Sequence, residues 1–204
     1  MKKSRKDMDG SKLEKHLGGH FNRTHIDRGA LTWLRNELQC QSLCDLGCGP
    51  GGMVEEALEV GFNHVVGIDG DFTIKRFDES KFIIHDFTKG TVKELPLNLY
   101  DVCWCVEFVE HVDEHYIPNY VDIMKRCKYV VMTHALPGKK GYHHVNCQEA
   151  SYWIDKFKEY HLYQSKNLTE SLRSNSTMPI AKTMREKGIS FMVDTGMVFV
   201  NKKI

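Results

Sequence analysis

The sequence predicts an α/β fold, a doubly wound, mostly parallel seven-stranded sheet with helices on both faces. Short apolar segments of strand length alternate along the chain with segments of helical periodicity, which is typical of a parallel sheet with crossover helices. A glycine-rich turn at residues 47–52 lies between the first strand and a helix. The apolar segments 191–193 and 197–200, separated by Asp-Thr-Gly, predict a closing hairpin or a bent strand, and the sheet is expected to end in an antiparallel C-terminal strand pair.

The individual elements follow in order from local patterns. A first helix begins near Ile26, because apolar residues recur at helical spacing from there to Leu38. Apolar runs predict strands at residues 43–46, 64–68, 81–85, 101–106 and 129–132, with a sixth strand opening at Leu162. Helices are predicted after the glycine-rich turn, ending at Gly61, then at residues 118–126, around residues 150–157 and in parts of residues 168–187.

Length and composition limit the class of protein. The 204 residues suit one domain, residues 1–204, and the 41% of hydrophobic residues suffice for a core. The 28 Lys and Arg nearly balance the 27 Asp and Glu, so the net charge of +1 gives no overall case for nucleic acid or a membrane surface. No apolar run approaches the ~20 residues of a membrane-spanning helix. Without a recognisable secretory signal, the seven Cys predict reduced thiols and a cytoplasmic protein.

The glycine-rich turn predicts a ligand site. Two spacings overlap in it: Gly-x-Gly-x-x-Gly, the dinucleotide fingerprint, and Asp-x-Gly-x-Gly-x-Gly, which begins at Asp45. Asp69 ends the next strand about 20 residues later, where a carboxylate can chelate two ribose hydroxyls. The acid at Asp45 would repel a pyrophosphate, whereas it suits a ligand that carries positive charge.

Four segments resemble, in order and at family spacing, the motifs of class I S-adenosylmethionine-dependent methyltransferases, which have a Rossmann-like fold. The similar segments are residues 44–51, the first motif; 67–69, the acidic second-strand motif; 85–87, the third-strand end; and 106–112, a Glu-x-x-Glu-His-Val signature. The resemblance covers roughly residues 40–160 and is nearest to small-molecule and sugar O-methyltransferases. It implies a cofactor-binding core at residues 40–135.

The resemblance also implies which residues hold S-adenosylmethionine, whose ammonium and sulfonium suit an acid before the glycines. Its methionine part would lie on the glycine-rich turn, its ribose at the end of the second strand and its adenine at the end of the third. The expected cofactor-binding residues are Asp45, Gly47, Gly49, Gly51, Glu107, Asp69, Gly70, Asp86 and Phe87.

Residues 137–190 are expected to supply the acceptor side of the site. Their 141–146 loop precedes a helix at the carboxyl edge of the sheet, where substrates of open α/β sheets bind, and it resembles a loop of small-molecule and sugar O-methyltransferases. The expected catalytic residues are Glu107, His111, His143 and His144, with His111 a candidate metal-free general base. The predicted reaction is methylation of an oxygen of a small molecule or sugar.

Two alternatives stay open. Glu107, Glu110 and His111, joined by His144, form a ligand set for Mg²⁺ or Mn²⁺ if a helical turn follows the fourth strand. This arrangement resembles metal-assisted O-methyltransferases, including those that methylate the 2′ oxygen at an RNA end. The basic arm, residues 1–22, could then contact RNA phosphates. The second alternative is a cofactor-binding subunit without catalytic activity.

Overall fold

The computed structural model describes residues 13–178 and 191–204. Residues 1–12 of the basic arm and residues 179–190 of the expected acceptor side lie outside the described residues. The described part contains a seven-stranded sheet with the order β3-β2-β1-β4-β5-β7-β6. Its strands are β1 Ser42–Leu46, β2 His64–Asp69, β3 Phe82–Ile84, β4 Tyr100–Cys105, β5 Cys127–Met132, β6 Leu162–Gln164 and β7 Met197–Asn201.

Helices cover both faces of this sheet. They are α1 Arg28–Asn36, α2 Gly52–Val60, α3 Ile117–Met124, α4 Ala150–Lys158, α5 Lys166–Asn175 and α6 Phe191–Thr195. Alternate residues of each central strand point to opposite faces, so Leu43 packs in the apolar cluster of α1, α2 and α5. Cys44 packs in the cluster of α3 and α4. The sequence prediction of a doubly wound sheet is therefore confirmed.

The strand directions also agree with the predicted class. β1 pairs in parallel with β2 and β4, β2 with β3, and β4 with β5. β7 runs antiparallel to β5 on one side and to β6 on the other. The carboxyl ends of β1, β2 and β4 consequently meet at one edge, where open α/β sheets bind ligands. In residues 13–178 and 191–204, no helix is long and apolar enough to cross a membrane.

The predicted antiparallel C-terminal pair is confirmed in β6 and β7, but the predicted strand at residues 191–193 is wrong, because these residues begin helix α6. Met192 is fully buried against the face that carries α1 and α2, and the amide of Gly196 donates a hydrogen bond to its carbonyl oxygen. A Cβ atom at Gly196 would lie 2.3 Å from that oxygen, so glycine is needed where the helix turns into β7. Three consecutive apolar residues show neither helical nor strand periodicity, so the sequence does not distinguish the two, and tertiary packing favours the helix.

Candidate active site

A cavity of about 1130 Å³ opens at the carboxyl edge of the sheet. It brings together most of the residues that the sequence predicts for cofactor binding and catalysis. The predicted residues in its lining are Asp45, Gly47, Gly49, Asp69, Gly70, Asp86, Phe87, Glu107, His111, His143 and His144. Gly51 and Glu110 lie behind the lining. The volume and the mixture of glycine backbone, carboxylates and aromatic rings suit a polar ligand of nucleoside size or larger.

The turn that links β1 to α2 requires glycine at two positions for different reasons. Gly47 has a φ of +72°, and a Cβ atom there would lie 2.4 Å from the ring of Phe108. Gly51 is the left-handed N-cap residue of α2, and its Cβ atom would lie 2.4 Å from Phe82. Gly47 therefore keeps the floor of the cavity open, whereas Gly51 allows the turn to pack against β3.

Asp69 joins this turn to the end of β2. Its Oδ2 accepts a hydrogen bond of 2.9 Å from the amide of Gly49, and its Oδ1 accepts one of 2.7 Å from the amide of Asp71. The buried guanidinium of Arg76 lies 3.6 Å from Asp69 and donates a hydrogen bond to the carbonyl oxygen of Gly49. Each carboxylate oxygen can accept a second bond, so Asp69 keeps the capacity to hold hydroxyl groups.

Asp45 is a buried carboxyl group beneath the turn. Burial and the nearby charge of Asp69 raise the pKa of Asp45 well above its usual range. A cationic group placed in the cavity would offset both effects and favour the ionised carboxylate. Asp45 would therefore interact more favourably with a cationic than with an anionic ligand on this side of the cavity.

The far end of the cavity carries Asp86 and Phe87. Burial acts to raise the pKa of Asp86, but the hydrogen bonds from Thr88 and the pairing with His16 outweigh it and lower that pKa. The Nε2 atom of His16 lies 3.0 Å from Oδ2 of Asp86. The ring of Phe87 packs edge-on against Phe108 at a centroid distance of 5.6 Å. This end offers an ionised acceptor beside an aromatic wall.

Residues 13–25, named here the N-terminal strap, cover the cavity. His20 packs against Gly49, and its Nε2 atom lies 3.1 Å from Oδ2 of Asp71. Leu17 lies against Gly70, where a Cβ atom would be 2.4 Å from its side chain. Burial acts to raise the pKa of Asp71, but bonds from His20 and Thr73 lower it to about 2. Sequence reasoning missed Asp71, Arg76 and His16, because no motif spacing marks them.

Glu107 follows β4 with a φ of +54°, in the left-handed region that a non-glycine residue rarely adopts. Its amide donates a hydrogen bond of 2.8 Å to Oγ1 of Thr133, and that hydroxyl donates one of 3.0 Å back to Oε1 of Glu107. Burial raises the pKa of Glu107 to about 7, against smaller lowering effects of Thr133 and the charge of Lys139. A carboxyl group with this pKa is suited to accept a proton at neutral pH.

The structure gives a smaller set of possible metal ligands than the sequence predicts. Glu110, His111 and His144 each place a donor atom within 4.8 Å of the others. Glu107 does not belong to this cluster, because its positive φ and its bonds to Thr133 turn it away, and the helical turn covers only Val109–His111. The sequence-based interpretation assumed one helical face for both glutamates, and that face does not form.

Glu110, His111 and His144 each have an atom that is free to bind a metal ion. Both carboxylate oxygens of Glu110 are buried without a hydrogen-bond partner among the described residues. The Nδ1 atom of His111 lies 2.8 Å from the carbonyl oxygen of Tyr142 and donates to it, which leaves Nε2 with a lone pair. Nδ1 of His144 is bound to the carbonyl oxygen of Lys139 in the same way. Orphaned carboxylate oxygens and two oriented imidazoles fit a divalent cation.

His111 differs from what a general base requires, and His143 lies outside the cluster. Burial and the neighbouring His144 lower the pKa of His111 to about 4, so its imidazole is neutral at pH 7 and a weak base. His143 lies at the strap, with its ring centroid 6.1 Å from that of His16. The structure thus places His143 on the cover of the cavity and apart from the cluster of Glu110, His111 and His144.

Comparison with known proteins agrees with this geometry. Residues 44–132 match a family profile described as a methyltransferase domain. Together with the order and directions of the strands, this match supports the predicted Rossmann-like methyltransferase fold. The match agrees with the methyltransferase family predicted from the sequence, over residues 44–132. Among curated proteins, none matches this sequence.

Several solved structures share the fold. The 1,6-didemethyltoxoflavin-N1-methyltransferase of Burkholderia thailandensis is 12% identical over 85% of this chain and 77% of that one, with a TM-score of 0.57. A SAM dependent methyltransferase from Archaeoglobus fulgidus is 17% identical over 85% of this chain and 93% of that one, with a TM-score of 0.53. Magnesium protoporphyrin IX methyltransferase from Synechocystis is 11% identical over 83% and 74%, with a TM-score of 0.50.

Proposed function

We propose that this chain transfers the methyl group of S-adenosylmethionine to an oxygen of a small molecule or sugar. The observation that carries the proposal is Glu107, a buried carboxyl group with a pKa of about 7 in the same cavity as the glycine-rich turn. Methyl transfer to a hydroxyl group releases the acceptor's proton, and Glu107 is matched to take it. The neutral, weakly basic His111 suits hydrogen bonding to the acceptor better than proton removal.

The binding roles follow from the position of each residue along the cavity. Gly47, Gly49 and the buried carboxyl of Asp45 would receive the charged methionine end. Asp69 and Gly70 would bind the ribose, and Asp86 and Phe87 the adenine, with Gly51 supporting the turn from behind. His143 and His144 lie on the acceptor side, where their imidazoles would hydrogen-bond a polar substrate.

The reaction needs little from the protein besides alignment, exclusion of water and removal of one proton. The cofactor supplies an electrophilic methyl group: a carbon–oxygen bond forms to the acceptor as the carbon–sulfur bond breaks. The glycine-rich turn would hold the methionine part of the cofactor and so align it with the acceptor, since alignment of reacting atoms contributes much of the rate. The strap and the 141–146 loop cover the cavity and limit access of water. Glu107 receives the proton of the acceptor hydroxyl.

Binding and transfer test this proposal separately. In calorimetric titration, S-adenosylmethionine should bind the purified chain at micromolar concentration, and Asp69→Ala should remove that binding. Asp101→Ala is a matched control for loss of a strand carboxylate, because Asp101 bonds Gln41 and Ser42 at the opposite end of β1. Transfer of a labelled methyl group to a panel of hydroxylated acceptors should then be lost in Glu107→Gln. Cofactor binding that persists in this variant would assign Glu107 to proton transfer, and binding lost with it would instead support the cofactor-binding role that the resemblance implies. Absence of cofactor binding in the parent chain would refute the proposal.

A second candidate function is metal-assisted methylation of the 2′ oxygen at an RNA end. The specific observation in its favour is the cluster of Glu110, His111 and His144, with its orphaned carboxylate oxygens. These residues would hold the ion, and one carboxylate with two imidazoles suits Mn²⁺ better than Mg²⁺. A bound divalent ion lowers the pKa of a hydroxyl group and orients it.

Three measurements separate the candidates. Mn²⁺ should bind the chain in calorimetric titration and lose at least tenfold in affinity in Glu110→Gln, with Glu114→Gln as the exposed control. Transfer to an RNA with a 3′-terminal ribose, but not to its 2′-deoxy counterpart, would favour the RNA candidate. Transfer that continues in full after chelation would exclude the metal. Cofactor binding without transfer to any acceptor, alone or with Mn²⁺, would instead favour the non-catalytic subunit.

A further inference from the structure

Thr133 lies directly after β5, and its side chain is fully buried beside the end of β4. Its own amide donates a hydrogen bond of 3.3 Å to the carbonyl oxygen of Cys105, the last residue of β4. The two strand ends are therefore tied together at the point where Glu107 leaves the sheet. No sequence motif of the chain includes Thr133.

The hydroxyl of Thr133 makes two bonds of opposite sense to one residue. It accepts a hydrogen bond from the amide of Glu107 at 2.8 Å and donates one to Oε1 of the same residue at 3.0 Å. Among uncharged side chains of this size, only a hydroxyl group both accepts and donates in this way. Valine, which has the same shape, would leave the amide of Glu107 without this partner.

These bonds act on a backbone that is held in an unfavourable conformation. A non-glycine residue at a φ of +54° persists only where its surroundings fix it, and such residues cluster at functional sites. The bond to the amide fixes the backbone of Glu107, and the bond to the carboxylate fixes the side chain. Thr133 already donates to Oε1, whereas Oε2 accepts no hydrogen bond from the described residues and is the better placed oxygen to receive a proton.

We propose that Thr133 is a positioning residue that holds Glu107 in its left-handed conformation and presents Oε2 of its carboxylate to the methyl acceptor. This inference rests on the proposed function. In the transfer step, the proton of the acceptor hydroxyl would move to Oε2 as the oxygen–methyl bond forms and the sulfur–methyl bond breaks, with S-adenosylhomocysteine as the leaving product. Thr133 remains bound to Oε1 throughout and touches neither the acceptor nor the methyl group.

The test compares Thr133→Val with Thr133→Ser in the full chain. Thr169→Val is the matched control, because Thr169 is also buried and its hydroxyl accepts a hydrogen bond from the amide of Val198 in β7, away from the cavity. Each variant is measured for thermal unfolding, affinity for S-adenosylhomocysteine, hydrogen exchange at the amide of Glu107 and the kcat of methyl transfer.

Thr133→Val should lower kcat at least about tenfold, since small misplacement of a reacting group is costly, while the affinity for S-adenosylhomocysteine stays within about twofold. The amide of Glu107 should exchange at least about tenfold faster, because it has lost a hydrogen bond. Thr133→Ser should return both values to within about threefold of the parent chain. Thr169→Val should lower the unfolding temperature and leave both unchanged.

Two results of the kinetic comparison would overturn the inference while leaving the proposed function intact. One is a kcat of Thr133→Val near that of the parent chain when Glu107→Gln is inactive. The other is a serine variant as impaired as the valine variant, which would indicate a purely structural role. Unchanged exchange at the Glu107 amide in Thr133→Val would overturn it without any activity assay. A parent chain that binds cofactor and methylates no acceptor would refute the proposed function, and the inference with it.

Discussion

The phenolic hydroxyl of Tyr142 donates a hydrogen bond of 2.6 Å to the carbonyl oxygen of Lys15. This bond joins the two segments that cover the cavity, the N-terminal strap and the 141–146 loop. The ring of Tyr142 also packs edge-on against Phe21 of the strap, with a centroid distance of 5.6 Å. The cover is thus held by contacts between its two halves as well as by the strap's bonds to Asp71 and Asp86.

Replacing Tyr142 with Phe should loosen this cover and leave its aromatic contact in place. Loss of one hydrogen bond of about 1 kcal/mol predicts release of S-adenosylhomocysteine that is roughly fivefold faster. Stopped-flow tryptophan fluorescence can follow it, because Trp104 lines the cavity. Tyr163→Phe, at an exposed position of β6, is the control. Equal release rates in the Tyr142 variant and the parent chain would contradict a latch at this bond.

Methyl transfer should depend on pH through Glu107. Its pKa of about 7 means that the carboxyl is protonated, and unable to take a proton, in more acidic solution. We therefore expect kcat to rise about tenfold per pH unit below pH 7 and to level off above it. In Glu107→Gln, kcat should no longer rise with pH below pH 7. A profile that is flat between pH 5.5 and 8 would exclude Glu107 as the base.

The same carboxyl group should make the fold less stable as the pH rises. The pKa of Glu107 is higher in the folded chain than its ordinary value of 4.5, so between pH 4.5 and about 7 the folded state binds more protons than the unfolded state. Its contribution to the free energy of unfolding is fully present below pH 4.5 and is lost as the pH passes 7. Urea unfolding of the parent chain and Glu107→Gln at pH 5 and 8 should show a smaller decline in the variant. An equal decline in the free energy of unfolding in both proteins would mean that Glu107 does not cause the loss of stability.

Gly47→Ala should abolish cofactor binding and destabilise the fold. A Cβ atom at this position would overlap the ring of Phe108, in addition to the strain of a φ of +72°. Gly138→Ala separates these effects, since Gly138 has a φ of +81° and nothing within 4 Å of the added atom. The control should lose only about 1 kcal/mol of stability and retain binding. Binding that survives in Gly47→Ala would contradict the role of an open turn.

Asp27→Ala should lower the free energy of unfolding by about 2–4 kcal/mol. The carboxylate of Asp27 is buried, caps helix α1 through the amide of Ala30, and accepts bonds from the amide of Thr177 and the hydroxyl of Ser176. Asp78→Ala, which removes an exposed cap of a short turn, should cost less than about 1 kcal/mol. Urea unfolding compares the two variants. Equal losses would argue against a special role for the bonds to residues 176 and 177.

The sheet and the glycine-rich turn could be predicted from the sequence because their signals are local. A parallel strand buried on both faces is a short apolar run, and a turn that needs positive φ selects glycine. Helix α6 was missed because its three leading apolar residues fit a strand equally well. Only the packing of Met192 and the close approach at Gly196 distinguish the two.

Within the site too, features set by neighbouring residues could be predicted, whereas contacts between residues far apart in the sequence could not. The candidate residues come from motifs, and most of them line one cavity. The partners that orient them lie far along the chain: His16 is 70 residues from Asp86, and Thr133 is 26 residues from Glu107. Such pairs follow from the order of the strands and leave no periodic trace in the sequence. Glu107 was wrongly included in the predicted metal set for the same reason, because its hydrogen bonds to the distant Thr133 determine where its side chain points.

The position of β7 between β5 and β6 has a consequence for how the chain acquires its structure during synthesis. β6 has no direct pairing with β5, so residues 162–164 cannot join the sheet until residues 197–201 are in place between them. On the ribosome, β1 to β5 can assemble as each emerges, but this edge must wait for β7. A chain interrupted before residue 197 would therefore expose β5 as an unpaired edge, which is a template for aggregation.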